Sequence, residues 1–131
     1  MKYKAVLLDI DGTLITLDSV INSMIKTSKK MGLRPLTRKQ ILNKIVGYRT
    51  ISSFRKIYPK YASRAYEFRD LYHTIYLKTK EIPTLYSRQV LKQIKKNGIK
   101  IGIVTSKSRK LAKRTLRKFV YDAVITEDDV I

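Results

Sequence analysis

The apolar positions of this chain change period several times, and each change marks an element. Residues 4–9 (Lys-Ala-Val-Leu-Leu-Asp) form a short continuous apolar run ending in a carboxylate, which predicts a strand buried on both faces, as in a parallel sheet. Asp11-Gly12-Thr13 follows as turn chemistry. From Asp18 the period becomes helical: Val20, Ile21, Met24, Ile25 and Ser28 recur at three and four, and Gly32 ends the run. Pro35 fixes a connection. Thr37 with Gln40 forms a capping box for a second helix that stops at Gly47. Thr50 to Tyr58 predicts a third helix, halted by Pro59. Tyr61, Ala65, Phe68, Tyr72 and Ile75 predict a long fourth helix running towards Pro83.

After Pro83 strands return. Ser87 is placed to cap a helix through Val90, Leu91 and Ile94, with Asn97-Gly98 as its stop. Residues 99–104 (Ile-Lys-Ile-Gly-Ile-Val) predict a second strand ending in Thr105-Ser106, which opens a helix carrying Leu111, Ala112, Thr115 and Leu116. Ala123 to Thr126 predicts a third strand. The order implies an α/β fold with parallel strands, residues 1–15 and 83–131 forming the core and residues 16–82 an all-helical insertion after the first strand.

Composition narrows the chemistry. Across 131 residues there is no cysteine, which excludes a disulfide scaffold, a thiol nucleophile and Cys-ligated metal sites, and fits a reducing, cytoplasmic compartment. Apolar runs are too short for a membrane span, and the amino terminus does not resemble a signal peptide. The formal net charge is +19. Residues 82–121 hold twelve bases and no acid, and residues 16–82 hold fifteen bases against four acids. The bases fall mainly at polar helix positions, as in Lys92, Lys95 and Lys96, so the distribution reads first as solvated helix faces and next as a field that attracts small anions. Tyr58, Tyr61, Tyr66, Tyr72 and Tyr76 interleave with bases in a way that could stack nucleobases, but at helical spacing they read as a packing face. A basic nucleic-acid-binding protein is thus the rival from another class, and the scattered charge speaks against it.

Two predicted strand ends carry reactive groups, where open α/β sheets bind ligands. Asp9 and Asp11 are two apart, so an extended chain turns both carboxylates to one side. Their repulsion is relieved by a shared proton or a hard divalent cation such as Mg²⁺. Thr105 and Ser106 offer a hydroxyl and amides to an anion, and Lys107 adds a cation. Singly, an Asp-x-Asp is a common turn and Thr-Ser a common helix cap. At the ends of two successive core strands they point together to a phosphate site.

Asp9-Ile10-Asp11-Gly12-Thr13-Leu14, after a hydrophobic strand, resembles the first motif of the haloacid dehalogenase (HAD) superfamily. Asn97 to Lys107 resembles its second motif. The helical block resembles the cap of phosphoglycolate-phosphatase-like members, with Val46-Gly47-Tyr48-Arg49 similar to the cap segment that faces the site. Residues 121–125 with Asp128-Asp129 resemble the approach to the third motif. The resemblance implies a HAD-like Rossmannoid parallel sheet, with Asp9 as nucleophile and Asp11 as general acid and base. It implies Mg²⁺ held by the Asp9 carboxylate and the Asp11 carbonyl. Thr105, Ser106 and the Gly12 turn would hold phosphate, and Arg49 and Lys107 would be contacts for the substrate or cap.

The activity implied is a Mg²⁺-dependent phosphatase acting on a small phosphorylated metabolite through an aspartyl-phosphate, with a phosphomutase as the alternative. An acid at position 11 favours these over dehalogenases and transport ATPases. The resemblance also implies a third-motif lysine and a later acidic pair, which this sequence does not reach. The chain therefore reads as the amino-terminal portion of a longer protein. Taken alone it is expected to be catalytically poor, with a sheet incomplete at its carboxyl end and a tendency to self-associate through the open edge.

Overall fold

A computed structural model describes residues 2–129. Three strands, β1 (Ala5–Leu8), β2 (Lys100–Val104) and β3 (Ala123–Ile125), alternate with six α-helices: α1 (Asp18–Lys30), α2 (Arg38–Lys44), α3 (Thr50–Ile57), α4 (Ala65–Tyr76), α5 (Ser87–Lys96) and α6 (Arg109–Leu116). The sheet is open and parallel, in the order β1-β2-β3, with Leu8 opposite Ile103 and Ile103 opposite Val124. The chain resolves into two compact units, one of Met1–Thr16 with Glu81–Ile131 and one of Leu17–Lys80.

In the sheet unit, Ile101 and Ile103 pack with Ile10, Leu14, Leu91, Leu116 and Phe119 into one buried cluster. The alternate positions point the other way, and there Leu7 (74%), Val104 (44%) and Ile125 (52%) are exposed. This corrects the expectation of a first strand buried on both faces. Among the described residues β1 is also an edge strand, and its apolar run is covered on one face only.

Asp122 ties β2 to the turn before β3: its carboxylate accepts the Ile101 amide at 2.7 Å and pairs with Lys95. Ile15 bridges antiparallel to Pro83, the Thr16 amide donates to the Ile82 carbonyl at 2.8 Å, and the Thr84 amide donates to the Leu14 carbonyl at 2.9 Å. The side chain of Glu81 is wholly buried, accepting the Thr115 hydroxyl of α6 and lying 3.7 Å from the Arg114 guanidinium.

The helical unit buries Val20, Ile21 and Met24 of α1 with Phe54 of α3 and Phe68, Tyr72 and Tyr76 of α4. The Phe54 and Phe68 rings lie 4.9 Å apart. The predicted capping box at Thr37 and Gln40 is present in both directions. The predicted fourth helix starts later than its pattern suggests. Pro59 opens a 3₁₀ segment (Pro59–Arg64) in which Tyr61 leaves helical geometry, and α4 begins at Ala65. Of the five tyrosines, Tyr58, Tyr72 and Tyr76 belong to the core, while Tyr61 and Tyr66 are exposed.

Two helix starts also differ from the sequence reading. Ser87 does not cap α5; Tyr86 occupies that place in a left-handed conformation (φ 63°), and the Ser87 hydroxyl donates to the carbonyls of Leu14 and Thr84. Thr105 and Ser106 do not open α6, because the Thr105 amide still pairs with the Ile125 carbonyl and extends the sheet by one rung. The helix begins after Ser108, whose hydroxyl accepts the Leu111 amide. No helix among the described residues is long and apolar enough to cross a membrane.

Candidate active site

Asp9 follows β1 directly, and the chain then coils tightly. The carbonyl of Ile10 accepts the amides of Thr13 and Leu14 at 3.1 and 2.9 Å, and the Gly12 amide donates to Ile15 at 2.9 Å. Gly12 adopts φ 79°, a conformation that suits a residue without a Cβ. It therefore shapes the turn, and its amide is spent within it. Ile10 is fully buried and anchors the loop between the two aspartates.

Asp9 lies exposed at the sheet edge, and its Oδ1 accepts the Ile10 amide at 2.7 Å. One carboxylate oxygen is thus held by the backbone. Partial enclosure by the protein pushes the Asp9 pKa above its ordinary 3.8, against the lowering influence of the Ile10 amide; the Asp11 charge raises it further and Lys107 opposes that.

The second strand end meets this loop directly. Lys107 Nζ lies 2.8 Å from Asp11 Oδ1 and 3.1 Å from Oδ2, joining residues ninety-six positions apart in sequence. The Lys107 amide donates to Thr105 Oγ1 at 3.1 Å. That hydroxyl oxygen accepts from the backbone and keeps its own proton for donation. Among the described residues the Ser106 amide donates to nothing. Asp9, Asp11, Thr105, Ser106 and Lys107 are therefore gathered at neighbouring strand ends.

Asp128 and Asp129 are used differently. Asp128 accepts the Arg109 amide at 2.7 Å, while Asp129 accepts the Thr126 amide at 2.8 Å and pairs with Arg109. Arg49 belongs to the helical unit, where its carbonyl accepts the Ser53 amide and the Ser52 hydroxyl at the start of α3. Nearby in that unit Asn43, Lys44, Tyr48, Ser52, Ser53 and Lys56 line a hollow of about 350 Å³.

A hard divalent cation prefers oxygen ligands. Asp9 Oδ2 and the Asp11 carbonyl suit it, whereas the Asp11 carboxylate faces an ammonium. No group of three His, Cys, Asp or Glu residues gathers among the described residues. The donor set fits an ion such as Mg²⁺ that keeps most of its water.

Sequence reasoning missed two features of this unit. Glu81, in a polar run of Lys-Thr-Lys-Glu, carries no local sign that it is buried. The sequence places Lys107 beside the phosphate-binding turn, but carries no sign of its pairing with Asp11.

The model of a family described as haloacid dehalogenase-like hydrolase matches residues 6–131. The chain is 35% identical to PpaX of Caldanaerobacter subterraneus subsp. tengcongensis, covering 93% of this chain and 56% of that protein. It is 33% identical to pyrophosphatase PpaX of Bacillus mycoides, covering 99% of this chain and 62% of that one. The chain thus spans somewhat more than half the length of these curated relatives. Among solved structures, a haloacid dehalogenase-like protein from Bacteroides fragilis superposes with TM-score 0.83 at 25% identity, over 99% of this chain and 66% of that one. A hydrolase from Pseudomonas syringae shares the fold, with TM-score 0.83 at 19% identity over 98% of this chain and 62% of that one.

Proposed function

The chain belongs to the haloacid dehalogenase-like hydrolase family, and from that premise we propose that it is the nucleophile-bearing part of a Mg²⁺-dependent phosphohydrolase for a small phosphorylated metabolite. The observation that carries the reading is the 2.8 Å contact between Asp11 and Lys107, which joins the aspartate loop to the Thr105-Ser106 turn. The PpaX relatives are named pyrophosphatases, so inorganic pyrophosphate is the first substrate to try.

Asp9 Oδ2 attacks phosphorus while Oδ1 stays on the Ile10 amide, and the bond from phosphorus to the leaving oxygen breaks. Asp11 passes a proton to that oxygen. It then accepts a proton from the water that cleaves the aspartyl-phosphate, which restores both carboxyl groups and releases phosphate. The Thr105 hydroxyl and the Ser106 amide donate to the phosphoryl oxygens as their charge shifts. Mg²⁺, when bound by Asp9 and the Asp11 carbonyl, neutralises charge between carboxylate and phosphate. The helical unit, with Arg49, selects the leaving group. We place the protein in the cytoplasm, in keeping with its lack of cysteine.

Phosphate release from pyrophosphate and from para-nitrophenyl phosphate tests the proposal, with Mg²⁺ and after its removal by chelator. Turnover is expected to need the ion and to vanish in Asp9→Asn. Undiminished turnover in Asp9→Asn removes the nucleophile from the proposal.

A further inference from the structure

Lys107 is more completely buried than a substrate-binding lysine would need to be. Its side chain is 3% exposed, and its Nζ reaches both oxygens of Asp11, itself 14% exposed. The backbone of Lys107 is fixed from two sides, by its amide on Thr105 Oγ1 and by its carbonyl, which accepts the Glu127 amide at 3.2 Å. An ammonium withdrawn from water needs an anion facing it. Here that anion is the Asp11 carboxylate, in the ionised form that the proposed mechanism leaves after proton transfer to the leaving oxygen and that then accepts the proton of water.

We infer that Lys107 is a positioning residue, which holds the Asp11 carboxylate in one place beside Asp9 and turns the Thr105 hydroxyl towards the phosphate. The inference rests on the phosphohydrolase reading and adds a part to it. A free aspartate samples several rotamers, and the like charge of Asp9 two residues away favours those that swing it outward. A bidentate contact from a rigid turn selects a single placement. The opposed influences of Asp11 and Lys107 on Asp9 fit the same arrangement. One residue thereby sets both the proton carrier and the phosphate donor, and it does so without touching substrate.

Lys107→Met removes the charge at similar volume, and Lys107→Arg retains it. Steady-state hydrolysis of pyrophosphate with Mg²⁺ is measured for both, along with orthovanadate binding by calorimetry and thermal melting. A misplaced catalytic group costs on the order of 100-fold. Lys107→Met is therefore expected to lose about that much in kcat with KM and orthovanadate Kd nearly unchanged, and Lys107→Arg to recover about tenfold or more. A Lys107→Met variant with a roughly tenfold higher KM and orthovanadate Kd and normal kcat would make Lys107 a substrate contact and overturn the inference. So would a kcat within about twofold of the parent.

If Lys107→Met melts too early to assay, the double variant Asp11→Asn/Lys107→Met is compared with Asp11→Asn alone. Restored melting with equal residual activity supports the pairing, and a further loss of activity overturns it. Orthovanadate that fails to bind the parent, or turnover that persists in Asp9→Asn, removes the phosphohydrolase reading itself and the inference with it. Asp9-dependent turnover that is indifferent to Lys107 removes the inference alone.

Discussion

A methyl group added to Gly102 would lie 2.7 Å from Leu7 Cδ2, closer than carbons approach in folded proteins. The outcome depends on which partner yields, and Leu7 can yield: it is 74% exposed on the edge strand. Turning its side chain costs about 0.5–1.5 kcal/mol. Replacing a strand glycine by alanine returns roughly 0.5–1 kcal/mol. Gly102→Ala is expected to change stability by less than about 1 kcal/mol in denaturant titration. Gly98→Ala, at φ 75° with open space around it, should lose about 1–2 kcal/mol because its penalty lies in the backbone. A larger loss for Gly102→Ala than for Gly98→Ala would show that Leu7 cannot move.

Glu81 and Thr115 give a second test. The carboxylate is fully buried and takes the threonine hydroxyl, with Arg114 alongside. Thr115→Val keeps the shape and removes one hydrogen-bond partner from a buried carboxyl group, a loss of about 1–3 kcal/mol. Thr115→Ser retains the hydroxyl and should lie closer to the parent. Equal melting temperatures for all three proteins would contradict the arrangement.

Asp9 sets a pH dependence of definite sign. Its pKa is raised in the fold above the unfolded value of 3.8, so the folded protein holds that proton more tightly than the unfolded chain. Ionised Asp9 therefore weakens the fold above its raised pKa. The penalty fades as pH falls through that value towards 3.8. Asp9→Asn should melt higher than the parent at neutral pH, with the gap closing in acid.

The uncovered side of the sheet predicts association. Leu7, Val104 and Ile125 are exposed on one face, and β1 has an unpaired edge among the described residues. The protein should show a concentration-dependent mass in light scattering, and Leu7→Glu with Ile125→Lys should shift it towards monomer. A monomeric parent at all concentrations would contradict this.

What could be read beforehand follows from the range of the forces involved. The capping box at Thr37 and Gln40 is a contact three residues long, and the turn around Gly12 is set within a few positions, so sequence shows both. The aspartate loop and the Thr105 turn were legible separately. Their meeting through Lys107 depends on the register of β1 against β2, across ninety-six positions. The same holds for Glu81, buried by a helix thirty-four positions on. Whether β1 is central or at the edge is decided by which strands exist beside it, and an apolar run cannot report that.

The chain leaves the sheet unit after Thr16 and re-enters it at Glu81, and these crossings are stitched together by the Thr16–Ile82 hydrogen bond and the Ile15–Pro83 bridge. Entry and exit of the insert are thus adjacent, which is the condition under which a module can be exchanged at one seam. A different insert, or a short turn, could be grafted there while the strands keep their register. The catalytic groups proposed here all lie on the sheet side of that seam. An exchange of the insert at this seam would therefore leave the proposed catalytic groups on their own strands.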